Sequence, residues 1–293
     1  MESVKLPHQG RERHYWLIKP DRKTGGEARL LPLLVMLHGT GGSGEWAEEE
    51  ISWSDWLSRS GELIIALPDG LPVDPELPPR FLSNPARWND GSEPPEVAKS
   101  PFPDDVGFLL AVIDDVSRRC WVDPKRIYLS GFSNGGGMCF RLAAEYSTRV
   151  AAIAPVAGYC PAALPVPVCS VPTLYLIGTA DPLVPLNGGT VQLPWGNRPV
   201  TRPPLWPSLG VWANAIGCDS QPRMLGEQNG VATYHFPAVQ PSAATFEVVT
   251  VHGLGHHWPG GRGRMNPRIA GPWIPAIDAR DRIWSFFRQH RRE

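Results

Sequence analysis

The stretch Arg126–Gly137, RIYLSGFSNGGG, decides the fold. RIYLS (Arg126–Ser130) reads as a strand that runs straight into Gly131-Phe-Ser133-Asn-Gly135, and a helix follows over Gly135–Tyr146, with Met138, Leu142 and Tyr146 four residues apart. The pattern G-x-S-x-G arises by chance in many proteins, and Gly-rich strand-to-helix turns are common. A strand before it and a helix after it give it chemical meaning. A serine on so tight a turn leaves no room for side chains two residues to either side, hence glycine at both places. The turn lifts the Ser133 hydroxyl above the sheet, and the amide of Asn134 then faces a developing oxyanion.

Outward from this turn the chain repeats one theme. Leu31–Leu37 (LPLLVML) is a short apolar run that stops at His38-Gly39 and enters a Gly-rich loop, Gly39–Gly44; Leu63–Leu67 (LIIAL) is a second, broken by Pro68-Asp69-Gly70. Asp104–Arg119 is the clearest helix: Val106, Leu109, Leu110, Ile113 and Val116 form one stripe, with Asp104 and Asp105 at the N-terminus and Arg118 and Arg119 at the other end. Val150–Val156, Thr173–Ile177 and Phe246–Val251 read as further strands, and Ile277–His290 as a closing helix. Continuous apolar strands alternating with helices imply an α/β fold, a mostly parallel sheet with helices on both faces. His14–Lys19 (HYWLIK) reads as an added antiparallel edge. Residues 71–103, which contain Trp88, and 185–208, which contain Trp195 and Trp206, are Pro-rich excursions. No repeat or linker divides the chain, so residues 1–293 are expected to form one domain.

Composition narrows the function. The chain has 293 residues, 42% apolar, with a net charge of −1, a balance that argues against nucleic acid as a partner. Proline (33) and glycine (30) make up about a fifth of it, which means shaped loops rather than disorder. No apolar run approaches the ~20 residues that span a bilayer, so no membrane partner is expected. The N-terminus, MESVKLPHQG, lacks an apolar signal core, which fits a cytoplasmic protein or a mature form whose signal has been removed. The five cysteines contain no CxxC pair; Cys160 and Cys169 could close a short loop, and zero disulfides fits equally.

A nucleophilic serine needs a base, and the base needs an orienter. In this architecture both follow later in the chain, each just past a strand. Asp181 follows TLYLIG, and His256 follows FEVVTV within Gly253-Leu-Gly-His256-His257-Trp-Pro-Gly260. An Asp before Pro is also a common turn former, and His252 and His257 compete for the base. His252 lies too close to the strand end; spacing alone does not separate His256 from His257. The loop after the first core strand, His38-Gly39-Thr40-Gly41-Gly42, is the source of a second oxyanion donor, expected at the Thr40 amide. With twelve Trp in the chain, Trp88, Trp195, Trp206 and Trp258 are candidates for flat faces that take an aromatic acyl group or a sugar ring, Trp88 and Trp258 being singled out as substrate-binding.

At these residues the chain resembles the alpha/beta-hydrolase family of polyhydroxybutyrate depolymerase-like and feruloyl (carbohydrate esterase family 1) esterases. The matching pieces are LLVMLHGTGG, VDPKRIYLSGFSNGGGM, AAIAPVAG, LIGTADPLVP with NGG after it, Gly217-Cys218 and GHHWPGG, spread over nearly the whole chain. In that family the catalytic His stands two places before the Trp of HxWPG, which maps to His256. The resemblance implies the alpha/beta-hydrolase fold and hydrolysis of carboxylic esters through an acyl-serine, with Ser133, His256 and Asp181 as the triad and no metal or cofactor. A polymer-binding module, a Ser/Thr-rich linker and a signal peptide, found in extracellular polymer-degrading members, are not seen here. Feruloyl, related small aryl or short-chain esters are therefore the expected substrates. The alternatives are hydrolysis of hydroxybutyrate oligomers or a non-catalytic hydrolase-like protein that binds a polymer or sugar.

Overall fold

The computed structural model describes residues 1–20, 29–60, 62–92, 103–195 and 199–293. The chain opens with an antiparallel hairpin, β1 (Glu2–His8) and β2 (Arg11–Ile18), turned at Gln9-Gly10 where both residues take positive φ, 48° and 75°. β3 (Leu31–Leu37) leads through the Gly-rich loop into α1 (Gly44–Ile51) and α2 (Trp53–Ser60), and β4 (Ile64–Pro68) follows. The short strands β5 (Leu71–Pro72) and β6 (Ala86–Arg87) pair across the first excursion. Next come α3 (Asp105–Arg119), β7 (Val122–Phe132), α4 (Asn134–Glu145), β8 (Ala152–Val156) and β9 (Thr173–Gly178). A second small hairpin, β10 (Gly189–Val191) and β11 (Val200–Arg202), precedes α5 (Leu205–Ala215). β12 (Arg223–Gln228), β13 (Val231–His235), β14 (Phe246–Val251), α6 (Pro267–Ala270) and α7 (Ala279–Phe287) complete the chain.

Ten strands form one sheet in the order β1-β2-β4-β3-β7-β8-β9-β14-β13-β12. From β4 to β14 every neighbouring pair is parallel, and the outer pairs on each side are antiparallel. Parallel strands covered on both faces must be apolar at every position rather than at alternate ones. LPLLVML, IIALP, AIAPV and TLYLIG meet that requirement and are buried almost throughout. Successive side chains then feed two cores. Leu33, Val35 and Leu37 pack on one face with Leu109, Met138 and Trp212 of α3, α4 and α5; Leu34 and Met36 pack on the other with Ile51, Trp56 and Ile283 of α1, α2 and α7. This is the alpha/beta-hydrolase arrangement, with the sheet direction reversing only at its margins.

Several expectations change, and the open question of the cysteines is answered; the strand read at Arg126–Ser130 runs over Val122–Phe132, the helix read at Gly135–Tyr146 over Asn134–Glu145, and the closing helix read at Ile277–His290 over Ala279–Phe287. The antiparallel strand read at His14–Lys19 is not the edge: β1 lies outside it, where ESVKLPH buries only Val4 and carries no apolar run to mark it. The helix read from Asp104 begins one residue later, because the Asp104 carboxylate caps it by accepting from the Gly107 amide at 2.9 Å. All five cysteines are free thiols, Cys160 buried and Cys169 exposed, so that pair closes no loop. Parts of both Pro-rich excursions, residues 93–102 and 196–198, lie outside the described residues.

Candidate active site

The elbow comes first. β7 ends at Phe132 and α4 begins at Asn134, with Ser133 between them at φ 55°, ψ −121°. A side chain at positive φ is strained by about 1–3 kcal/mol, and the neighbouring packing must hold it there. A Cβ on Gly131 would lie 2.3 Å from the Gly135 carbonyl oxygen, and one on Gly135 would lie 2.5 Å from those of Leu37 and His38. Both glycines are therefore demanded by backbone contact. The Ser133 carbonyl accepts from the Gly136 and Gly137 amides at 2.8 and 3.1 Å, which starts the helix directly behind the serine.

The acid and the imidazole follow β9 and β14. Asp181 Oδ1 accepts from the amides of Leu183 and Val184, both at 2.8 Å, which orients the carboxylate. Its Oδ2 lies 2.7 Å from His256 Nδ1, and both side chains are buried. A carboxylate at that distance fixes the proton on Nδ1 and leaves the Nε2 lone pair free. The His256 ring also rests on Phe132 of the elbow, with centroids 4.7 Å apart. His257 turns elsewhere: its Nε2 donates to the Gly271 carbonyl at 3.1 Å. His252 is exposed to solvent. Ser133 and His256 border the same cleft without a hydrogen bond between them, a contact that commonly tightens only around substrate.

The loop after β3 is held by buried polar contacts. The Gly70 amide donates to His38 Nε2 at 2.9 Å, so Nδ1 carries the proton and donates to the Gly39 carbonyl at 2.8 Å. Burial pushes the His38 pKa down and keeps the ring neutral. Trp88 Nε1 donates to the His38 carbonyl at 2.9 Å. The Asn134 side chain grips the same segment, accepting from the Trp88 amide at 2.6 Å and donating to the Trp88 carbonyl at 3.0 Å and to Asp90 at 2.8 Å. Among the described residues the main-chain amides of Thr40 and Asn134 have no acceptor, and both residues line the space beside Ser133.

Trp88 borders that space; it is 2% exposed, and its N–H is committed to the His38 carbonyl, so it also braces the loop. Trp258, also 2% exposed, packs beneath the site among Met36, Ile51 and Phe132 and does not border Ser133.

Ser133 stands between two compartments. One, of about 200 Å³, is apolar: Trp46, Phe81, Leu183, Trp195, Met265 and Ile269 line it together with Ser133 and His256. Phe81 and Trp195 meet edge to face at 5.8 Å. The other, of about 320 Å³, is the more polar of the two, with Asn89, Asp90, Ser92, Tyr159 and Arg202 around Ser133 and Asn134 beside an apolar wall of Val184, Leu193 and Trp195. Sequence reasoning missed Trp46, Phe81, Met265 and Arg202. Trp46 lies just past the Gly-rich loop, which was the one local signal; the others come from segments with no periodicity. Met265 is delivered by buried Glu50, whose carboxylate accepts from the Gly263 and Arg264 amides at 2.8 and 3.1 Å. Trp206, by contrast, packs on Tyr234 at 4.9 Å, away from the serine.

No protein-family profile matches the chain. It is 32% identical over 277 residues to the esterase-named protein NocK of Nocardia uniformis subsp. tsuyamanensis, covering 89% of this chain and 75% of that one. It is 32% identical over 228 residues to feruloyl esterase B of Piromyces equi, covering 73% of this chain but 38% of the longer relative. Among solved structures, a thermostable esterase matches 99% of this chain and 63% of its own at a TM-score of 0.57 and 14% identity. An acetyl xylan esterase from Aspergillus awamori matches 98% and 100% at 0.57 and 12% identity. At those identities the structural likeness is one of fold.

Proposed function

This chain belongs to the esterases of the alpha/beta-hydrolase fold and is a carboxylic ester hydrolase; on that premise we propose that Ser133, His256 and Asp181 carry the reaction. The carrying observation is the 2.7 Å pair of Asp181 and His256 beside a cleft shared with Ser133 on its positive-φ elbow. Ser133 Oγ attacks the ester carbonyl while His256 Nε2 takes its proton. The Thr40 and Asn134 amides donate to the oxyanion as it forms. When the tetrahedral species collapses, His256 returns the proton to the leaving alcohol, and the acyl group stays on Ser133. Water, deprotonated by His256, attacks the acyl-serine, and the acid departs as Ser133 regains its proton. Asp181 holds the imidazole in the productive tautomer and orientation.

The substrate we assign is an aryl ester, with a feruloyl group as the leading acyl moiety. Trp46, Phe81 and Trp195 suit a flat ring in the apolar compartment, and the polar compartment suits a hydroxylated partner. The relative named feruloyl esterase B supports the same choice. The test is hydrolysis of p-nitrophenyl acetate, methyl ferulate and a soluble hydroxybutyrate oligomer by wild type and Ser133→Ala. Turnover of methyl ferulate that disappears in the variant supports the reading. Cleavage of the oligomer alone moves the protein to the depolymerases. Full activity in Ser133→Ala removes Ser133 from its role.

A further inference from the structure

We propose that Arg202 anchors a carboxylate on the substrate, at the end opposite the aromatic ring, so that the preferred esters are monoesters that keep a free acid group. The proposal rests on the reading of Ser133 as nucleophile and of the apolar compartment as the ring site.

Several half-buried or buried arginines elsewhere in this fold spend their donors on acids and carbonyls. Arg13 donates to Asp105 at 2.8 Å and Arg126 to Asp123 at 2.8 Å. Arg141 serves Glu145 and the Asn89 carbonyl, and Arg280 serves Asp278 and the carbonyls of Ile51 and Ser52. Arg202, at the end of β11, differs. It lines the polar compartment beside Ser133, its Nε is enclosed without an acceptor, and it makes no side-chain hydrogen bond or ion pair among the described residues. What holds it is the Tyr159 ring, 5.0 Å beneath the guanidinium. A guanidinium kept in place by an aromatic face, with its fork unspent, is a preformed site for a planar anion.

Asp90 is the acidic group in the same compartment: the Arg202 charge acts on it electrostatically, with no ion pair or hydrogen bond between them to occupy the fork. The Asp90 oxygens already accept from the Ser92 amide and hydroxyl and from Asn134. Burial pushes its pKa up, toward the neutral acid. Where Asp90 is ionised, it disfavours a dianion beside it. One fork and one neighbouring acid together fit a carboxylate better than a phosphate.

The test compares carboxymethyl ferulate with propyl ferulate, which share the ring and the ester and differ in whether the far end is charged. The readout is the ratio of their kcat/KM values. Wild type is expected to favour the carboxymethyl ester by about tenfold or more, chiefly through KM, as for one charge-assisted fork. In Arg202→Gln the ratio is expected to fall to about one or below, and in Arg202→Lys to recover in part, since an ammonium keeps the charge without the fork. A wild-type ratio of one or less overturns the proposal with no need of a variant, as does an undiminished ratio in a folded Arg202→Gln. In either case cleavage of propyl ferulate leaves the aryl-esterase reading standing. Cleavage of neither ester by folded wild type sinks both.

Discussion

The parallel centre of the sheet and its antiparallel margins follow different rules. β8 and β9 in the centre are buried at every residue, whereas β12 at one margin is exposed at every residue. The centre has no solvent face, so its strands must end in sharp turns, and those turns are where side chains can meet above the sheet. Ser133, Asp181 and His256 all follow central strands: β7, β9 and β14. The margins close off the sheet edges and contribute nothing to the cleft beside Ser133. Change in the centre is therefore costly to catalysis, and change at the margin is nearly free.

Substitutions sharpen or break that contrast. The largest effect belongs to Ser133→Ala, expected to lower kcat on p-nitrophenyl acetate by about 10⁴-fold or more with thermal unfolding intact. Asp181→Asn comes next: it keeps the shape but loses control of the tautomer, and a fall of about 10³–10⁴-fold in kcat is expected from steady-state kinetics. Gly131→Ala puts a Cβ against the Gly135 carbonyl, where no side chain can rotate away, and urea denaturation should show about 3 kcal/mol of destabilisation. The smallest is Met224→Lys on β12, a residue 52% exposed; stability and kcat/KM should stay within about 0.5 kcal/mol of wild type. A large loss from Met224→Lys, or none from Gly131→Ala, breaks the contrast.

The same contrast governs what could be read from the sequence. LPLLVML, TLYLIG and FEVVTV announce themselves, because burial on both faces leaves no polar position to blur the run. The elbow was legible because positive φ at Ser133 and backbone contacts at Gly131 and Gly135 leave few residue choices. β12 was not: Arg223–Gln228 has no apolar face, and only its pairing to β13 makes it a strand. α1 escaped for a related reason, since its buried face carries Glu48 and Glu50, which spend their carboxylates on backbone amides. Trp258 shows the opposite failure. Its flat indole, in a chain rich in Trp, made it a candidate ligand face, yet the chain folds it under Phe132 into the core. Which aromatic comes to line the cleft beside Ser133 depends on loop paths, as with Phe81 and Trp195, and no local periodicity encodes those.

The most direct measurement is peptide mass spectrometry of the folded wild-type protein after reaction with diisopropyl fluorophosphate. The account predicts a single phosphoryl adduct on Ser133, with activity lost in proportion and no adduct in Ser133→Ala. An adduct on another residue, or esterase activity that survives full modification of Ser133, would contradict it.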